Sequence, residues 1–440
     1  VTCYSQRMKA TSLFRQAVLP VCTVLCVWGL SISAYAIDFA FQDPAFSFES
    51  VRALGYAVSG GADIGEVLHT VHRITEGDDE SWYREWFQTA QDREAAAREF
   101  HETGHSDSAR RELLRASAYY RCAEFFLHTR TNDLRIVGVS KTGRDCYHQA
   151  AALSPTPIQP VEIPFEGTTL PGYLCLVDDS GEKRPLLIVH TGFDGTGEEL
   201  YFSTAFFALQ RGWNVLIFEG PGQGRVIREQ NIPFRPNWET AVTPVVDFAL
   251  TLPQTDPDKI ALMGISFGGY LAPRAAAYEK RLAACIANGG VFDFHKVAGL
   301  TPEDEETLES PEGRQAMNQA IESQAATNTN LRWFFANGQF TFHADSPADW
   351  LRMTRPYTLT NVAGQITCPI LICNSEDDSQ MTGQAQALYD AITNAPKTFL
   401  LFTEKEGAEE HCQMGAIQVS NERILDWLSD TFAAIGKEPE

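Results

Sequence analysis

Basic residues are scarce in this chain: 35 Lys and Arg stand against 57 Asp and Glu, a net charge of −22 over 440 residues. A surface that acidic repels phosphate backbones and anionic lipid headgroups, which excludes nucleic acid as an expected partner. Internal repeats and low-complexity tracts are absent from the sequence, which argues against solenoids and arrays. Hydrophobic residues at 44% and charged residues at 21% exclude a disordered, collagenous or small disulfide-scaffold protein. Beyond residue 36 no apolar run is long enough to span a bilayer.

The first 36 residues carry Lys9 and Arg15, the apolar run Ala17 to Ile32 and then Ala34-Tyr35-Ala36, the pattern of a secretory signal peptide. Pro20 and Ser31 interrupt the run, so cleavage after Ala36 is expected rather than retention as an anchor. Met8, directly before Lys9, makes a more usual start than Val1. The expectation is a secreted or periplasmic protein with no stable membrane insertion. Cleavage removes three basic residues and no acidic one, so the acidity belongs to the mature protein. It also removes Cys3, Cys22 and Cys26 and leaves Cys122, Cys146, Cys175, Cys285, Cys368, Cys373 and Cys412, an odd set that cannot pair completely.

Two textures follow. From 37 to 155 the chain reads as helical: Trp82, Trp86 and Ala90, then Leu114, Ala118, Cys122 and Phe126, recur every four residues and mark helix-packing faces. Gly104 and Ser106-Asp107-Ser108 separate two helices, and Ser154-Pro155-Thr156-Pro157 with Pro160 closes the region. From 156 to 440, β-rich runs alternate with amphipathic helices, the signature of a mostly parallel sheet with helices on both faces. The runs are Leu186–Val189, Asn214–Phe218, Ile260–Met263, Ala284–Ala287, Ile370–Cys373 and Thr398–Phe402. Between the fourth and fifth lies an insertion, about 291–366, with the acidic cluster Glu303 to Glu306 and the aromatic run Trp333-Phe334-Phe335.

Chemistry concentrates at Gly264-Ile265-Ser266-Phe267-Gly268-Gly269, between a strand and a helix-forming segment. A nucleophilic serine needs such a turn so that Oγ projects from the sheet, and small flanking residues let strand and helix approach. The serine needs a base and the base an orienting acid, in the chain order Ser, acid, His. Asn374-Ser375-Glu376-Asp377-Asp378 follows a strand and offers Asp377 as the acid, with Asp378 in reserve; His411, after the last strand, is the base. Acyl transfer also needs two N–H donors for the developing oxyanion. Phe267 supplies one and Phe193, preferred over Gly192, the second, from His190-Thr191-Gly192-Phe193-Asp194-Gly195. His190 and Asp194 read as turn formers without a catalytic part.

This constellation resembles the α/β-hydrolase fold over nearly everything from Val161 onward. Gly192-Phe193-Asp194-Gly195, Glu219-Gly220-Pro221-Gly222-Gln223-Gly224, Glu376-Asp377-Asp378 and His411-Cys412-Gln413, behind a helical N-terminal region, are similar to one group within it. That group holds 2,6-dihydroxypseudooxynicotine hydrolase and the fungal polyketide-shortening hydrolases of the yellowish-green type. Other relatives of the group are labelled dipeptidyl aminopeptidase- or acylaminoacyl-peptidase-like. The resemblance implies hydrolysis of a carbon–carbon bond beside a ketone, or of an ester or amide, in a small-molecule substrate, with no metal or cofactor. The export signal departs from those intracellular enzymes. A non-catalytic binding protein on the same fold is the alternative outside enzymes, and three reactive groups in the required order argue against it.

Two competing motifs lose to local context. His101-Glu102-Thr103-Gly104-His105, with Glu124 downstream, matches a zinc-peptidase pattern, but Gly104 reads as a helix end that carries His105 beyond the regular turn. Gly220, Gly222 and Gly224 fail the dinucleotide pattern and are expected to shape a turn near the active-site mouth. Specificity is expected outside the reactive residues, in the helical region and the insertion acting as a lid, with Trp82, Tyr83, Trp86, Trp333, Phe334 and Phe335 as candidate roof residues.

Overall fold

The computed structural model describes residues 40–435, so the signal-peptide expectation for residues 1–36 lies outside the described residues. The chain opens with helices α1 (Pro44–Gly55), α2 (Ile64–Val71), α3 (Asp79–Glu102), α4 (Ser106–Phe125) and α5 (Arg135–Ala152). Their starts are chemically marked: the Asp43 carboxylate accepts the Ala45 and Phe46 amides at 2.9 and 3.1 Å, and Asp78 does the same for α3. Both predicted stripes are buried. Trp82 anchors α3 on α4 by donating Nε1–H to the Cys122 carbonyl at 2.7 Å. Gly104, at φ +84°, ends the α3 turn, and His105 caps α4, so His101 and His105 share no helix face.

An eight-stranded sheet follows, with strands β1 (Ile158–Phe165), β2 (Thr168–Cys175), β3 (Arg184–His190), β4 (Asn214–Phe218), β5 (Thr255–Ile265), β6 (Ala284–Asn288), β7 (Ile370–Ser375) and β8 (Lys397–Phe402). Their order is β1-β2-β4-β3-β5-β6-β7-β8. The six predicted runs are β3 to β8, parallel throughout. The central residues of β3 to β7 are buried on both faces because helices cover both, whereas β8, at the edge of the sheet, is partly exposed. β1 and β2 form an antiparallel hairpin turned at Glu166 and Gly167, both with positive φ, and β2 pairs antiparallel with β4.

The insertion between β6 and β7 contains the helices Pro302–Glu309, Pro311–Ala325, Thr329–Phe342 and Pro347–Met353. It leans on the N-terminal helices: Trp333 stacks on Phe125 with centroids 4.4 Å apart and donates Nε1–H to the Phe125 carbonyl at 3.0 Å, while Arg332 pairs with Asp79. It also covers the loop after β3, through Phe334 and Trp350 against Phe193. The roof expectation needs correcting at α3. Trp82 and Trp86 are fully buried among Phe41, Phe46, Phe126 and Tyr119, and Tyr83 lies beneath the Arg135 guanidinium. Trp82 and Trp86, with no exposed surface, form the core of the helical region, and Tyr83 forms its flank.

Candidate active site

The carboxyl end of β5 turns sharply into the helix Gly268–Ala276, and Ser266 sits in the turn at φ +62°. A non-glycine residue in that region is strained and persists only where its surroundings over-determine it. Here the Ser266 N–H donates to the Asn288 carbonyl at 2.8 Å, and the Ser266 carbonyl accepts from Gly269 at 2.6 Å. The glycines are contact requirements: a Cβ on Gly264 would sit 2.1 Å from the Gly268 carbonyl oxygen, and one on Gly269 would sit 1.9 Å from that of Gly289.

His411 reaches the turn from the loop after β8, with Nε2 2.8 Å from Ser266 Oγ. The loop can bend there because Cys412 and Gln413 both adopt positive φ. Gln413 is tied to the end of β7 through Nε2–H donated to Ser375 Oγ at 3.0 Å. His411 Nδ1 lies 2.7 Å from Oδ2 of Asp378. This corrects the expectation of Asp377: the carboxylate that orients His411 is Asp378, the reserve choice. The cause is the turn after β7, closed by Asp378 N–H to the Ser375 carbonyl at 3.2 Å, which rotates successive side chains to opposite sides. Asp378 is thereby buried, its Oδ1 also accepting the Met381 amide, while Asp377 is half exposed and joined to the His411 loop only by its amide, donated to the Glu409 carbonyl.

Burial, the largest single influence, disfavours the imidazolium of His411, yet the charge and hydrogen bond of Asp378 together with the neighbouring Cys412 sulfur outweigh it and lift the pKa well above the ordinary 6.5. If His411 serves as the base for Ser266, only its neutral ring can take the proton, and kcat/KM should then rise with pH along a limb whose midpoint lies above 6.5. Asp378→Asn should move that limb to lower pH. A pH–rate profile checks both; a limb unmoved by the substitution would show that Asp378 does not set the charge state of His411.

The loop after β3 presses against the serine turn. A Cβ on Gly192 would lie 2.6 Å from both the Phe267 nitrogen and the Ile265 oxygen, so the two expected N–H donors belong to touching segments. Among the described residues, neither the Phe193 nor the Phe267 N–H donates to a backbone carbonyl. His190 and Asp194, expected as simple turn formers, do more. Burial pushes the His190 imidazole down to about 4, so the neutral ring donates Nδ1–H to the Thr191 carbonyl at 2.9 Å. Asp194 accepts from Arg52 of α1 and Arg121 of α4 at 2.6 and 2.8 Å. Pairing across 142 and 73 residues leaves no local signal, so sequence reasoning missed both arginines.

The Glu219 to Gly224 segment supports the same loop from below. Gln223 donates Nε2–H to the Thr191 and Gly192 carbonyls at 2.6 and 3.3 Å, and its own Oε1 accepts the Gly220 amide. Buried Glu219 accepts the Gly197 and Arg225 amides at 2.7 Å each, capping the two helices that start there. Only glycine fits at 224, where a Cβ would fall 1.8 Å from Glu219 Oε1. The expectation of a turn near the site mouth holds, and its physical content is support for the loop facing Ser266. Among the described residues, no group of three or more His, Cys, Asp or Glu side chains could hold a metal ion.

Strand order, serine turn and histidine loop together define a class, and the comparisons agree with it. Residues 186–432 match the Alpha/beta hydrolase family and residues 50–303 match the family described as Esterase FrsA-like. The chain belongs to the alpha/beta hydrolase family and is a hydrolase. Within it, the chain is similar to fungal hydrolases along almost its whole length. Hydrolase LUC6 of a Fusarium species is 33% identical over 409 residues, covering 89% of this chain and 97% of the relative. The 20-hydroxy-prefusarin hydrolase FUS2 of Gibberella moniliformis is 33% identical over 410 residues, 89% of this chain and 98% of the relative. Among solved structures, that of 2,6-dihydroxy-pseudo-oxynicotine hydrolase superposes with a TM-score of 0.67 at 23% identity, covering 87% of this chain and 96% of that one.

Proposed function

We propose that the chain is a serine hydrolase that cleaves a carbon–carbon bond beside a ketone, or an ester, in an apolar small molecule. The observation that carries this reading is the hydrogen-bonded series Asp378–His411–Ser266, at 2.7 and 2.8 Å, with the serine held on a strained turn. In this reading Ser266 Oγ attacks the substrate carbonyl carbon while His411 Nε2 takes the hydroxyl proton. The resulting oxyanion accepts hydrogen bonds from the Phe267 and Phe193 amides. As the tetrahedral adduct collapses, the bond to the leaving carbon or oxygen breaks and His411 returns its proton to that atom. Water then attacks the acyl-serine ester with His411 as base, releasing a carboxylic acid and restoring Ser266.

Two features support an apolar substrate over a charged peptide. Phe193 is packed among Phe294, Trp333, Phe334 and Phe342, so the wall beside the proposed donor is aromatic. The nearby cations Arg52 and Arg121 are already neutralised by Glu49, Asp194 and Glu199. The names of the relatives, a hydroxy-prefusarin hydrolase and a dihydroxy-pseudo-oxynicotine hydrolase, agree with that chemistry. The segment 291–366 is read as a lid and residues 1–36 as an export signal.

A fluorophosphonate probe should label the wild-type protein at Ser266, and Ser266→Ala should lose the label and lower ester turnover by about 10⁴ or more. Mass spectrometry of the labelled peptide locates the adduct. Equal labelling of both proteins would remove Ser266 as the nucleophile. Turnover of aryl 1,3-diketones and aryl esters above aminoacyl amides is the expected ranking; the reverse would favour a peptidase.

A further inference from the structure

The loop after β3 is fastened at each residue from Thr191 to Asp194, and part of the fastening comes from outside the sheet. Because the peptide bond is planar and trans, the N–H of Phe193 points opposite to the carbonyl of Gly192 in the same plane. Gln223 holds that carbonyl, and together with His190 it holds the preceding Thr191 carbonyl. Asn337, in the insertion helix Thr329–Phe342, donates Nδ2–H to the Phe193 carbonyl at 3.1 Å. One residue further on, a single oxygen of Asp194 receives both Arg52 and Arg121. The Phe193 peptide is therefore bracketed from the sheet side by Gln223, from the insertion by Asn337, and from the N-terminal helices by the two guanidiniums.

The arginines are themselves rigidly placed. Arg121 contacts three carboxylates, Glu49 at 3.0 Å, Asp194 at 2.8 Å and Glu199 at 2.7 Å, and Arg52 contacts the same three. Glu49 lies on α1, whereas Glu199 lies in the helix Gly197–Leu200 that follows the loop, and Tyr56 adds its hydroxyl to Glu199 at 2.8 Å. The cluster thus spans α1, α4 and both ends of the segment Asp194 to Glu199. A charged network with every arm engaged tolerates little displacement, since each guanidinium has fixed donor directions.

We propose that Arg52 and Arg121 are positioning residues for the oxyanion hole: acting through Asp194, they fix the direction of the Phe193 amide, so the N-terminal helices are part of the catalytic apparatus as well as its cover. The proposal rests on the serine-hydrolase reading above. A merely structural cluster would look different in kinetics, and the protein contains its own comparison. Arg93, in α3, meets Glu66 of α2 and Glu112 of α4 at 2.9 and 3.4 Å in a second ion cluster that ties the N-terminal helices together, and among the described residues it makes no hydrogen bond or ion pair with residues 191–199 or 219–224.

The test uses the full chain with an activated ester and a fluorophosphonate. Asp194→Asn keeps the shape of the side chain and removes its charge; Arg52→Lys keeps the cluster's charge and removes the fork, and stands in should Asp194→Asn fail to fold. Either is expected to lower kcat and the phosphonylation rate by about 10- to 100-fold with KM changed less than about threefold, the signature of an interaction made only in the transition state. Arg93→Lys is expected to lower the melting temperature while keeping kcat within about twofold. Folded Asp194→Asn and Arg52→Lys proteins with wild-type kcat, or a kcat loss equalled by Arg93→Lys, would overturn the positioning role. A wild type that reacts with the probe elsewhere than Ser266 would instead overturn the nucleophile assignment and the proposal with it.

Discussion

Asp378→Asn is expected to lower kcat by about 10⁴, equivalent to about 5.5 kcal/mol of transition-state stabilisation, whereas Asp377→Asn should stay within about threefold of wild type. The contrast follows from two adjacent residues in one turn. Asp378 is buried and holds His411 Nδ1 at 2.7 Å; in the proposed mechanism its carboxylate fixes the tautomer that leaves Nε2 free to accept the Ser266 proton. An asparagine there can turn its NH₂ toward Nδ1, which forces the ring proton onto Nε2 and removes the base without moving it. The Asp377 carboxylate has no such contact; the tie to the histidine loop runs through its backbone amide, which the substitution keeps. Steady-state kinetics of the two variants at a pH on the plateau decides. Equal losses, or a greater loss in Asp377→Asn, would refute the assignment.

That pair also shows where sequence reasoning reached and where it stopped. The meeting of Ser266 with His411 was legible because each is announced by local context: glycines that a strand–turn–helix junction demands, and a position after the last strand in the expected chain order. The acid was legible only to within one residue. Which of two neighbouring carboxylates faces inward depends on the turn closed by Ser375 and Asp378, and such a turn has no period to read. The helical stripes and the six central strands were legible because burial imposes a repeat of 3.6 residues or a continuous apolar run. The β1–β2 hairpin was less so, since its strands carry Pro160, Pro164, Pro171 and Gly172. Gly172 is required there, as a Cβ would meet the Ile217 carbonyl oxygen at 2.1 Å.

The buried ion cluster was illegible for a different reason. Arg121 falls between Ala118 and Cys122 in a buried helix, where the only hint is a long basic side chain in apolar company. Its partners Asp194 and Glu199 lie in a loop and a short helix whose local pattern already has an explanation as turn and cap. Long-range charge pairing follows from how the helices dock on the sheet, and no periodicity records docking.

Gly192→Ala is expected to lower kcat by roughly 10² to 10³ while the protein still folds. The new Cβ would lie 2.6 Å from the Phe267 nitrogen, 2.6 Å from the Ile265 oxygen and 3.0 Å from Ser266 Cβ. Its φ is not in the left-handed region, so the backbone accepts alanine and the whole penalty is contact. Something must move, and each of these neighbours belongs to the serine turn: either the loop retreats, taking the Phe193 amide away from the proposed oxyanion site, or the turn yields and Ser266 leaves His411. Overpacking of this kind costs about 1–3 kcal/mol of stability, which a domain of this size can absorb. Gly138→Ala provides the opposite case. It lies exposed in α5 with nothing within 4 Å of the added carbon, and alanine there should stabilise by about 0.5–1 kcal/mol without touching kcat. Thermal melts separate the two stability effects, and ester kinetics with fluorophosphonate labelling separate the catalytic ones. A Gly192→Ala enzyme with wild-type kcat would mean that the loop after β3 does not serve the oxyanion at all, and the second donor would have to be sought on another element.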